Sequence, residues 1–270
     1  MPRDVARAGL YRGKINLWVE DALTREYLSA VWKADPDVHF LIGGGNEGVR
    51  AIIKDAEDAG FVNVFGVTDR DFRPTNRDDW KNPSKTFRTF VLPVHELENY
   101  LLDSDAIQSS RLNNQGLDAP QIEGAMKKRA GELCWWAACR DVVAEIKRRF
   151  RDRFISDPPC SPADLATSKK HICDSPWFQK LSSEVARSSE SEIEKLLQEK
   201  HGVAQESLAN GTWRQDFAGK EIFRDACSRI CDRTQLKRGM SPTEFDIDLT
   251  KDVAAYQVKA STVPSDLVEL

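Results

Sequence analysis

With 270 residues, 40% of them hydrophobic, the chain has material for one large domain or two modest ones and for a proper buried core. Its charged residues, 30% of the total, divide almost evenly between signs and leave a net charge of -4, which excludes a global basic field for nucleic acid or membrane, so any polyanion contact must be local. No run approaches the ~20 apolar residues that span a bilayer, and the opening MPRDVARAGLYRGK has no signal-peptide stretch, so the chain reads as cytoplasmic, with no membrane contact.

The N-terminal third alternates strand-like and helix-like runs, the pattern of a parallel sheet with crossover helices. Ile15 to Val19 is an apolar run of strand length. From Asp21 to Lys33, apolar residues recur at Leu23, Tyr27, Leu28, Val31 and Trp32, a helical spacing with one buried face. His39 to Ile42 reads as a second strand, followed by Gly43, Gly44 and Gly45 and by a helix with the inward stripe Val49, Ile52, Ile53 and Ala56, ended by Gly60. Val62 to Thr68 is the third strand, and Thr86 to Val94, after a polar loop, the fourth. The expected class is α/β, a parallel sheet flanked by helices over residues 1–105, followed by a mainly α-helical region over 106–270.

In that second region residues 121–154 read as helix with room for a break, and Pro158, Pro159 and Pro162 stop it. More helix is expected over 182–200 and 220–233, and the tail from Ser241, with Phe245, Ile247 and Leu249 alternating, as a short strand or extended segment. The six cysteines lack the tight pairs of a zinc ribbon and read as reduced thiols.

In a parallel sheet the chain leaves every strand at the same edge, and ligands bind outside those carboxyl ends. Glu20 follows the first strand, Asp69 and Asp71 the third, and His95, Glu96 and Glu98 the fourth. Taken alone, Asp69 and Asp71 read as solvated loop acids partnered by Arg70 and Arg73; Glu20 at the matching strand end turns the reading towards a metal. Clustered carboxylates repel one another unless a cation neutralises them, and hard oxygen donors with an open shell suit Mg²⁺ or Mn²⁺. The glycine turn at 43–45 lies between a strand and a helix, where its N–H groups could cradle a phosphate or simply make a tight turn. His95 reads as a helix cap or as a proton shuttle beside the acidic edge.

A glutamate after the first strand (LWVED), a glycine-rich turn after the second (LIGGGNEG), a D-x-D after the third (VFGVTDRDF) and a glutamate motif after the fourth (HELENYLLD) together resemble the Toprim fold of primases, topoisomerases and OLD nucleases. The V-E-D opening, HELENYLL and the later Gly219-Lys220-Glu221-Ile222-Phe223 are similar to the Toprim effectors of bacterial anti-phage defence, those of PARIS systems above all. The resemblance implies a Mg²⁺- or Mn²⁺-dependent nuclease, with Glu20 as general base, acid or ligand, Asp69 and Asp71 holding the metal, and Glu98 as the later acidic ligand, Glu96 being the alternative. It further implies a toxin of abortive infection, restrained by an ATPase partner, active as a homodimer and directed at host tRNA. A DNA nickase of the OLD kind and an inactive, partner-binding scaffold are the alternatives. Where OLD nucleases carry a second acid after the first glutamate this chain has Thr24, which favours one tightly held metal over two, with Asp21 or Glu26 as possible substitutes.

Lys147, Arg148, Arg149, Arg151 and Arg153 form the densest basic cluster; Arg140, Lys147 and Arg151 fall near one helical face, and the cluster reads as a solvated face or, with Lys220, as contacts to a nucleic-acid backbone. Trp135 and Trp136 on the same helix read as core or protein interface before base stacking.

Overall fold

The computed structural model describes residues 9–33, 35–71, 88–150, 173–174, 176–187, 189–231 and 240–268. Four strands, β1 (Ile15–Val19), β2 (Val38–Ile42), β3 (Val64–Thr68) and β4 (Thr89–Val91), form one all-parallel sheet in the order β2-β1-β3-β4. Helix α1 (Ala22–Val31) joins β1 to β2, and α2 (Asn46–Asp58) joins β2 to β3. The chain leaves β1 for one side of the sheet and returns to the other, so the crevice between the ends of β1 and β3 is the switch point at which such sheets bind ligands.

The apolar spacing of α2 buries Val49, Ile53 and Ala56 against Trp18 and Val64 on one face of the sheet. Val49 and Ile53 each contribute about 1.5–3 kcal/mol by leaving water, and the small Ala56 less. On α1 the stripe Tyr27, Leu28 and Val31 is buried, and helix α10 (Pro242–Ala260) packs against it. Gln257 of α10 ties the two: it accepts from the Tyr27 hydroxyl at 2.7 Å and donates to the Tyr100 carbonyl at 3.0 Å.

After β4 come a 3-10 turn (Leu97–Leu101), α3 (Ser104–Ser109) and α4 (Ala119–Glu132). Then, among the described residues, come α5 (Cys134–Phe150), α6 (Pro176–Ala186), α7 (Glu190–Asn210), α8 (Trp213–Asp216), α9 (Gly219–Ile230), α10 and α11 (Ser265–Val268). The expected boundary near residue 105 is not where the compact units divide. One unit is formed by the described residues of Met1–Glu132 with Asn210–Leu270, the other by those of Leu133–Ala209. The physical reason is that α9 packs on the 3-10 turn and α4, and α10 on α1 and α3, so the C-terminal helices complete the core around the sheet.

The tail is the second correction. Residues from Ser241 form a helix, capped by a reciprocal Ser241/Glu244 box with Pro242 in the first turn. The buried residues Phe245, Leu249 and Val253 recur every four positions, a helical stripe that the intervening Ile247 disguises as strand alternation. In the unit Leu133–Ala209, Trp135 is 56% exposed and stacks on His201 with ring centroids 3.7 Å apart, so it is not a core residue. Arg140 lies 4.8 Å over the Trp136 ring, and Arg149 pairs with Glu145. The side chains of Lys147 and Arg148, and all of Arg151 and Arg153, lie outside the described residues. Among the described residues no helix is long and apolar enough to cross a membrane, and no two cysteines are bridged.

Candidate metal centre

Because β1 and β3 run parallel and adjacent, the residues that follow them meet. Glu20 Oε1 accepts the Asp69 N–H at 2.9 Å. The Glu20 carbonyl in turn accepts the N–H groups of Gly44 and Gly45 at 3.1 Å each, and both glycines adopt positive φ to make the turn. The Gly43 N–H is spent on Val19 at 2.8 Å. The phosphate cradle expected at Gly43, Gly44 and Gly45 is thus corrected: its amides already serve backbone carbonyls, and the turn fastens Glu20.

Asp69 uses Oδ1 to accept the Leu97 N–H at 3.0 Å, which joins the end of β3 to the 3-10 turn. Asp71 adopts a φ of 51° and donates its N–H to the His95 carbonyl at 2.9 Å. That left-handed conformation suits aspartate better than most residues and turns the chain towards the segment after β4. There Glu96 caps the 3-10 turn: its N–H donates to Asn99 Oδ1 at 2.7 Å, its carboxylate accepts the Asn99 N–H, and its Oε2 accepts the Lys220 N–H at 2.9 Å. His95 is buried, with Nδ1 3.8 Å from Glu96 Oε1. Glu96, not His95, is therefore the cap.

Among the described residues, Asp71, His95 and Glu96 form a set whose ligand atoms all lie within 4.8 Å of one another. Glu20 and Asp69 sit beside it without joining that set. Their proximity is electrostatic: burial first, then Glu20, Glu98, Glu96 and Asp71, push the Asp69 carboxyl well above the usual carboxylate range. Burial, and after it Glu96, raises the Glu98 carboxyl to about 7.

Glu98 faces a cleft of about 260 Å³ lined also by Asp21, Lys220, Phe223, Arg224 and Asp246. Asp21 caps α1, accepting from the Thr24 N–H at 2.8 Å and its hydroxyl at 2.9 Å, so Thr24 serves Asp21. Glu26 is engaged by Arg25 and Lys251. The donor set fits a divalent ion: carboxylates suit Mg²⁺ or Mn²⁺, and the imidazole of His95 favours Mn²⁺ of the two.

The sequence reading gave no role to Asn99, and it named Gly219 only as part of the motif that begins with it. A Cβ on Gly219 would stand 2.5 Å from the Asn99 backbone nitrogen, so only glycine lets α9 start this close to the 3-10 turn. The Glu96-x-x-Asn99 spacing was the available signal, being that of a capping box. Gly219→Ala is expected to cost about 1–3 kcal/mol by overpacking against backbone, read as a lower urea midpoint with an unchanged slope. No protein-family model matches the chain, and comparison with curated proteins finds no match.

Proposed function

We propose that this chain is a divalent-metal-dependent phosphodiesterase of the Toprim type, a nuclease acting on nucleic acid. The observation that carries the reading is the gathering of Glu20, Asp69, Asp71, Glu96 and Glu98 at a sheet switch point, with Asp71, His95 and Glu96 within 4.8 Å of one another: so much negative charge, which also pushes the Asp69 carboxyl up, is what a cation would relieve. Asp71 and Glu96 would hold the ion with His95, and Glu20 and Asp69 would flank it. Mg²⁺ or Mn²⁺, when bound, supplies Lewis acidity towards a phosphodiester.

Glu98, protonated near neutrality and facing the cleft, can donate a proton to a leaving oxygen. Lys220 at the same cleft can meet a phosphate of the nucleic acid. Resemblance to PARIS effectors extends the reading to host tRNA as substrate, an ATPase as restraining partner, a homodimer as active form and abortive infection as outcome.

The test incubates purified chain, free of any ATPase, with tRNA or supercoiled plasmid in Mn²⁺, Mg²⁺ or EDTA, beside Glu20→Gln. Metal-dependent tRNA cleavage that weakens in the variant is expected. Nicking of plasmid alone would move the substrate to DNA, and cleavage of neither would leave a scaffold.

A further inference from the structure

The acids reach the metal centre on two segments, Asp69 to Asp71 after β3 and His95 to Glu98 after β4, and both segments are fastened to α8. Arg70 Nη2 donates to the Gln215 carbonyl at 3.1 Å and lies 3.4 Å from Asp216 Oδ1. The His95 N–H donates to the same Gln215 carbonyl at 2.9 Å. Asn99 Nδ2 donates to the carbonyls of Arg214 and Phe217 at 2.8 Å each. One carbonyl thus takes a donor from each acid-bearing segment.

Two forces work against this arrangement. Repulsion among Glu20, Asp69, Asp71, Glu96 and Glu98 pushes the segments apart. The positive φ of Asp71 is a conformation that residues with a Cβ rarely adopt, although aspartate tolerates it better than most. The Arg70 side chain, 14% exposed, resists both, because it anchors the residue immediately before Asp71 on the carbonyl that also anchors His95.

We infer that Arg70 is a positioning residue for the metal centre, which through the shared Gln215 carbonyl sets Asp71 against His95 and Glu96 and thereby sets affinity for the divalent ion. The inference rests on the metal-dependent reading above. Residues that orient ligands rather than bind the ion cost about 10- to 100-fold in metal affinity when replaced. A purely structural Arg70 would instead lower stability and leave affinity alone in the folded protein.

The test titrates Mn²⁺ into the full chain and follows the free-ion electron paramagnetic resonance signal, with urea unfolding in EDTA measured alongside. Arg70→Met is expected to weaken Mn²⁺ binding about 10-fold or more while the protein stays folded. Arg70→Lys recovers part of the loss, since an ammonium can still reach one carbonyl. Asp216→Asn, which spares the Gln215 carbonyl, gives a smaller loss in the same direction and carries the test if Arg70→Met does not fold. Mn²⁺ affinity equal to wild type in folded Arg70→Met, or in Asp216→Asn where that variant carries the test, overturns the inference. A wild-type chain that binds no Mn²⁺ overturns the metal reading beneath it.

Discussion

Asp71→Asn is expected to lower metal-dependent cleavage roughly 10³-fold, a loss of about 4 kcal/mol in transition-state stabilisation, with the fold intact. Asparagine tolerates the left-handed backbone of position 71, whose φ is 51°, and keeps the N–H that the His95 carbonyl accepts. The substitution therefore removes one charge from the set Asp71, His95 and Glu96 and little else. Asp71→Ala would confound the two effects, since a Cβ without a polar group gains nothing in that conformation. Single-turnover cleavage at saturating Mn²⁺, with circular dichroism to verify folding, is the measurement. A folded Asp71→Asn protein as active as wild type would remove Asp71 from the chemistry.

The second large effect concerns pH. The Glu98 carboxyl titrates at about 7 in the folded protein instead of 4.5, because burial and then Glu96 oppose its charge. Between those values the folded chain holds a proton that the unfolded chain releases, so this group's contribution to stability falls as pH rises through that window. By pH 8 the penalty is full, on the order of 3 kcal/mol from Glu98, and Asp69 acts in the same direction. Glu98→Gln in EDTA should accordingly be more stable than wild type at pH 8 and not at pH 4. Mn²⁺ at pH 8 should raise the wild-type melting temperature by mass action. Melting curves at the two pH values decide it: a Glu98→Gln protein equally destabilised at both would mean that Glu98 is not held protonated.

Much of the fold and the membership of the acidic edge are legible in the residues alone. Ile15–Val19 is the first strand as its apolar run implies, and the acids that follow β1, β3 and β4 share an edge because the strands are parallel. Hydrophobic period is a local property, and the alternation of strands with crossover helices implies parallel pairing, which is why both survive in a single sequence. The centre's internal arrangement is not of that kind. Whether Glu96 or Glu98 approaches Asp71 depends on a 3-10 turn whose cap is Glu96, and on α9, whose Lys220 N–H holds the Glu96 carboxylate. That contact joins residues 124 apart in sequence, and no spacing rule reaches so far. The apparent boundary near residue 105 misleads for the same reason, since α9 and α10 belong to the sheet's own core. The tail misleads for another: Ile247 between Phe245 and Leu249 mimics alternation, while the Ser241-x-x-Glu244 capping box just ahead of it announces a helix.

Whether the strand-end acids hold one divalent ion is read from anomalous diffraction of crystals soaked in Mn²⁺. One strong peak is expected, coordinated by Asp71 and Glu96 and in reach of His95, and it should vanish in Asp71→Asn crystals. An ordered, well-diffracting crystal with no peak at that edge, or with manganese only elsewhere on the chain, would contradict metal binding by these acids.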